Sequence, residues 1–86
     1  MVLAIYSRHC ELKSEEYRTV AEAIRVLQEG NKACELYPIA VLDGDEVLLP
    51  KPGVMSQDHR LRAIRKVTGL TTFAVKGTFP NFPEDN

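Results

Sequence analysis

Residues 37–49 constrain this chain more than any other segment. Tyr37-Pro38-Ile39-Ala40-Val41-Leu42 is a nearly unbroken apolar run. Asp43-Gly44-Asp45 follows as a turn signal, and Glu46-Val47-Leu48-Leu49 reads as the return strand of a β-hairpin. Pro38 has no amide proton to donate, which places it at the start of its strand or on an edge. The Pro50-Lys51-Pro52-Gly53 string ends the second strand, because proline removes donors and presets φ. The rest of an 86-residue chain has to be built around this hairpin.

Two amphipathic helices flank it. Thr19-Val20-Ala21-Glu22 has the spacing of a capping box, in which hydroxyl and carboxylate satisfy each other's backbone amides. Val20, Ala23, Ile24 and Leu27 then recur on one helical face. This predicts a helix over 20–29, with Gly30 as the left-handed residue that stops it. Ser56 caps a second helix, with Asp58 at the positive end of its dipole. Leu61, Ala63, Ile64 and Val67 form its apolar stripe, and Gly69 is its stop. Val2 to Ser7 reads as a strand, as do residues 71–76, where Thr71, Phe73 and Val75 alternate with Thr72, Ala74 and Lys76. Residues 8–17 are polar and hold a turn, with a short strand near 16–18.

The order β-α-β-β-α-β is the split βαβ, ferredoxin-like pattern. Right-handed crossovers then put both helices on one face of a four-stranded antiparallel sheet, with the arginines outward and no cleft furnished for chemistry. The alternative treats residues 8–18 as an N-terminal hairpin followed by αββα. Residues 1–77 make one α+β domain, and 78–86 an extended tail. Single-domain size and 44% apolar content bound the core. A domain this small hides only roughly 60–65% of its unfolded surface, so self-association is an expectation.

Charge is unevenly spread. Residues 1–50 hold five cations against nine carboxylates, and residues 51–76 hold six against Asp58 alone. The second helix carries most of the excess. Arg62, Arg65 and Lys66 fall close together on it, while Arg60 projects from a different side. The first reading is a solvated face that pairs with acids of the first half or of a second copy. The second is a phosphate-binding surface for nucleic acid or another anion. Only Phe73 accompanies these cations, so the stacking aromatics of an RNA-recognition motif are missing.

His9, Cys10, Cys34 and His59 are the soft or imidazole ligand candidates. Only His9 and Cys10 are close in sequence, and neighbours on a strand face opposite ways, so neither metal nor other cofactor is expected. No nucleophile elbow, dinucleotide fingerprint or phosphate loop occurs, which argues against an enzyme. Two unpatterned cysteines, no charge-first apolar leader and no run near 20 apolar residues place the chain in a reducing cytoplasm, off the membrane. Phe79 and Phe82, set among prolines in the tail, either strap back over the domain or reach a second subunit.

Tyr17-Arg18-Thr19-Val20-Ala21-Glu22-Ala23-Ile24, with Leu27, Gly30 and Pro38-Ile39-Ala40-Val41, resembles small uncharacterised proteins carried by phages and integron gene cassettes. The resemblance covers about a third of the chain and implies a mobile-element accessory protein. Residues 62–70 are similar to a helix in the C-terminal domain of the ribosomal stalk protein, but Thr71-Thr72-Phe73 departs from that family's following helix. The resulting expectation is a non-enzymatic binding or protein-interaction module that self-associates as a homodimer or other homo-oligomer. A nucleic-acid binder using Arg62, Arg65 and Lys66 comes second, and a small-ligand domain third.

Overall fold

Among the described residues, seven elements follow one another: β1 (Val2–Arg8), β2 (Glu11–Tyr17), α1 (Val20–Lys32), β3 (Tyr37–Asp43), β4 (Glu46–Pro50), α2 (Gln57–Thr68) and β5 (Ala74–Phe79). The computed structural model describes residues 1–51 and 56–83. The break expected at Pro52-Gly53 and the acidic end at Glu84-Asp85 lie outside those residues. The strands form one sheet in the order β2-β1-β3-β4-β5. All neighbours are antiparallel except β4 and β5, which are parallel. The fold is α+β with a five-stranded mixed sheet, not the four-stranded antiparallel sheet of the βαββαβ reading.

The added strand is β2, and it reverses the placement of the helices. β2 and β3 both run antiparallel to β1, so they are parallel to each other. The β2-α1-β3 and β4-α2-β5 crossovers step the same way along the sheet, but their strands point in opposite directions. Two right-handed crossovers of that kind put their helices on opposite faces. The core shows this division. Val2, Ala4, Tyr6 and Val41 pack with Ala23 and Leu27 of α1. Ile5, Leu42, Val47 and Leu49 pack with Ala63 and Ile64 of α2. The alternation of β1 therefore feeds two cores, and the expectation of both helices on one face is corrected.

The β1-β2 turn is His9-Cys10, between the paired residues Arg8 and Glu11. Both turn residues have positive φ, 53° and 65°. That is the type I′ geometry, whose twist suits a two-residue hairpin but which ordinarily recruits Asn-Gly. A second irregularity lies across β1. The β1-β3 register shifts between Ile5, which pairs with Ala40, and Tyr6, which pairs with Pro38. Ile39 is thus the extra residue of a β-bulge. Ile39 and Ala40 both belong to the α2 core.

Thr19 and Ser56 cap their helices as expected, accepting from the amides of Glu22 and His59. Gly69 closes α2 at φ 75°, its amide donating to the Arg65 carbonyl at 2.8 Å. Gly30 does not close α1. The helix runs on to Lys32 and ends in a Schellman motif: Glu35 N donates to Gly30 O, and Cys34 N to Asn31 O. Cys34, at φ 58°, is the left-handed residue. Glycine at 30 answers a packing demand instead, discussed below. A β-carbon in the left-handed region costs about 1 kcal/mol. Cys34→Gly is accordingly expected to raise the thermal midpoint by about 4–8 °C, read by circular dichroism. A lowered midpoint would mean that the thiol makes a contact worth more than the strain.

The strand read at 71–76 is shifted: only Ala74, Val75 and Lys76 of it are in β5. β5 starts at Ala74 and takes in Gly77, Thr78 and Phe79. Phe79 sits opposite Pro50 and is buried in the α1 core at 3% exposure. The chain beyond it is held by side chains: Gln28 Nε2 donates to Pro80 O at 2.8 Å, Asn31 Nδ2 to Asn81 O at 2.9 Å, and Asn81 Nδ2 to Lys51 O at 3.0 Å. As far as Asn81, the segment is strapped onto its own domain.

Candidate functional site

The helical repeat sorts the side chains of α2 onto three faces. At about 100° per residue, Arg60, Ala63, Ile64 and Val67 share the inward face. Arg60 is therefore not a solvent-facing cation, as its charge implied. It is 1% exposed, among the most buried side chains in the protein. His59, Arg62 and Lys66, at i, i+3 and i+7, share one flank. Arg65 turns to the other flank and lies over the Phe73 ring, 5.6 Å from its centroid. The expected trio of Arg62, Arg65 and Lys66 is thus split. Arg62 and Lys66 stay together, His59 joins them, and Arg65 packs elsewhere.

This flank faces the β1-β2 hairpin across a cleft of about 450 Å³. Leu12, Ser7 and Ile39 form its floor, one from each of β2, β1 and β3. Ser7 pairs with Leu12 in the β1-β2 register, so the two stand side by side on the α2 face. The bulge at Ile39 supplies the third floor residue. Cys10 lies at the rim, brought there by the tight turn. Among the described residues, none that lines the cleft is a carboxylate. Among the described residues, ion pairs join Lys13 to Glu11 and Lys76 to Glu46, and neither touches Arg62 or Lys66. Arg62 and Lys66 therefore share a hollow with no ion-pair partner among the described residues, so the field inside favours an anion. The volume falls in the range of small-molecule sites.

Cys10 and His59 line the same cleft, which a reading without any furnished cleft did not anticipate. No hydrogen bond joins the thiol to the imidazole among the described residues, so the pair lacks the geometry of an activated nucleophile. Also among the described residues, no three His, Cys, Asp or Glu side chains gather as a metal site. No helix there is long and apolar enough to cross a membrane.

The α1 face carries a different cluster. Tyr6 Oη donates to Glu15 Oε1 at 2.7 Å, and Tyr17 Oη to Glu15 Oε2 at 2.8 Å. Arg8 lies 5.5 Å from the centroid of the Tyr6 ring. The two hydroxyls hold the Glu15 carboxyl below its ordinary value, Tyr6 more than Tyr17. Burial and then the bond to Glu15 push Tyr17 up to about 12. Glu15 thus adds stability above the unfolded carboxylate value, and this is lost as pH falls through the lowered folded value. The Tyr17 contribution is complete below the ordinary tyrosine value of 10.0 and is lost as pH rises towards 12. In Tyr6→Phe, the Glu15 midpoint measured by carboxyl NMR is expected to rise towards 4.5. A midpoint left unchanged would show that the hydrogen bond is not its cause.

No family model, curated protein or solved structure matches the chain. The site is read from its own chemistry. Sequence reasoning singled out Arg62 and Lys66 correctly as neighbours. It set His59 aside as an isolated ligand candidate, although its spacing from Arg62 and Lys66 was visible. Ser7, Leu12 and Ile39 carried no signal, because the hairpin turn and the bulge that assemble them break local rules. Of the two tail aromatics, Phe79 is interior and Phe82 is 56% exposed.

Proposed function

We propose that the protein is a small binding module for a phosphate-bearing ligand held in the α2 cleft. Arg62 and Lys66 are the anion contacts, and His59 adds a third donor on the same wall. The observation that carries this reading is two cations, without an ion-pair partner among the described residues, in a hollow whose described lining holds no acid. Phosphate fits better than a single carboxylate. Its several oxygens can take the guanidinium fork and the ammonium together. The test is calorimetric titration with inorganic pyrophosphate at low and physiological salt. Wild type is expected to bind, more weakly as salt rises. The Arg62→Ala, Lys66→Ala double variant should lose at least tenfold in affinity. No binding at low salt, or equal binding by the double variant, would overturn the reading.

One observation favours self-association as a second reading. The outer edge of β5 has no neighbour among the described residues, and Val75 on it is 50% exposed. An unpaired edge bearing an apolar side chain is a template for another strand. Val75→Lys should then shift a dimer to monomer in sedimentation runs. A wild type that is monomeric at every concentration rejects this reading.

A further inference from the structure

The α2 cleft does not end at its floor. A second hollow of about 470 Å³ opens beside it, and Ser7 and Cys10 line both. Tyr37 and Asn31 belong to the second, together with Arg8 and the carboxylate Glu35. Tyr37 stands directly opposite Ser7 in the β1-β3 register, so it starts from the same face of the sheet. Its side chain remains 40% exposed, unlike the buried Pro38 and Ile39 that follow it. Leu12, Ser7 and Tyr37 thus form one cross-strand row, two strand spacings or about 10 Å wide. Cations stand over one end of the row and a half-bare aromatic ring marks the other. Asn31 uses its amide nitrogen on Asn81 O, which leaves its side-chain oxygen to accept.

We infer that the ligand is a nucleotide, with its phosphate against Arg62 and Lys66 and its base on the Tyr37 ring. The inference rests on the proposed anion cleft and adds the chemistry of the other half of the ligand. Aromatic rings stack on any base, so this platform gives affinity for a nucleobase without strong choice among the four. Asn31, lining the same hollow, can accept from a base that presents an amino donor.

The experiment compares inorganic phosphate, ribose 5-phosphate and the four nucleoside 5′-monophosphates by calorimetry. Nucleoside monophosphates are expected to bind at least tenfold tighter than ribose 5-phosphate. Tyr37→Ala should erase that ratio while leaving ribose 5-phosphate affinity unchanged, and Tyr37→Phe should keep it. Tyr37→Leu, which retains apolar bulk at the strand start, serves if the alanine variant fails to fold, and should also lose the ratio. Ribose 5-phosphate binding as tightly as the nucleotides, or a ratio indifferent to Tyr37, would overturn the nucleotide assignment and leave the anion cleft standing. Failure of every phosphate to bind would overturn both.

Discussion

Arg60→Ala is expected to destabilise the fold by about 3 kcal/mol, the scale of emptying a large buried position. Arg60 is a core residue by position and a cation by chemistry. Nη1 donates to Pro50 O at 3.3 Å and to Gln57 Oε1 at 3.0 Å, while Nε has no partner among the described residues. No carboxylate among the described residues pairs with it. Burial lowers the pKa of its guanidinium, yet arginine does not give up its proton in a protein. Truncation leaves a void between α2 and the end of β4. Among the described residues, it also leaves Pro50 O with the 3.4 Å contact from Gln57 Nε2 alone. Arg60→Met separates volume from charge. It refills the space and removes a buried charge that neutral acceptors only partly compensate, so its stability should match or exceed wild type. Urea denaturation gives the order. Met and Ala variants equally destabilised would show that the charge, not the volume, holds α2 in place.

Gly30→Val is expected to cost about 3 kcal/mol, against the ordinary rule for glycine inside a helix. Replacing such a glycine usually gains up to about 1 kcal/mol in helix propensity. Here a β-carbon would lie 2.5 Å from Leu36 Cδ2 and 2.6 Å from Leu36 Cγ. The contact with Cγ matters most, because a branch point cannot swing aside as a terminal methyl can. Overpacking of this kind costs typically 1–3 kcal/mol, and valine adds two methyl groups to the clash. Crowding therefore outweighs propensity. Gly30→Ala should fall between wild type and the valine variant, and Gly30→Val with Leu36→Ala should recover part of the loss. A valine variant as stable as wild type in thermal melts would show that Leu36 repacks freely.

Gly30 also shows where sequence reasoning succeeds and fails. Its reading as a helix stop followed from what glycine does most often after an apolar stripe. Helix α1 ends instead on Cys34, a residue with no preference for φ 58°, because the Schellman bonds and the docking of Leu36 over Gly30 act together. The caps at Thr19 and Ser56 and the stop at Gly69 were legible because each is a local contest between side chain and backbone. The central hairpin was legible for the same reason. Strand β2 was not. Its Glu-Leu-Lys-Ser-Glu-Glu-Tyr string carries one aliphatic residue and four charges, which suits an exposed sheet edge and hides the strand from any search for apolar alternation. With β2 left out of the preferred order, the crossover argument put both helices on one face. The right-handed rule was sound and its input was short by one strand.

The cleft was half legible for a related reason. Arg62 and Lys66 follow from helical spacing alone. Their partners arrive through His9-Cys10, a tight turn made without glycine, and through the bulge at Ile39. Both are irregularities that tertiary packing imposes on sequences that do not announce them. Arg60 is the converse: a charge that pattern reading sends to solvent and packing takes inside.

In the proposed function, the His59, Arg62 and Lys66 flank forms an anion site with the hairpin floor. Amide chemical-shift mapping during titration with inorganic pyrophosphate tests it most directly. Saturable shifts should gather at Ser7, Cys10, His59, Arg62 and Lys66, and leave Arg25 and Lys32 on α1 unmoved. Shifts spread evenly over every exposed lysine and arginine, or no saturable shift at the cleft, would contradict it.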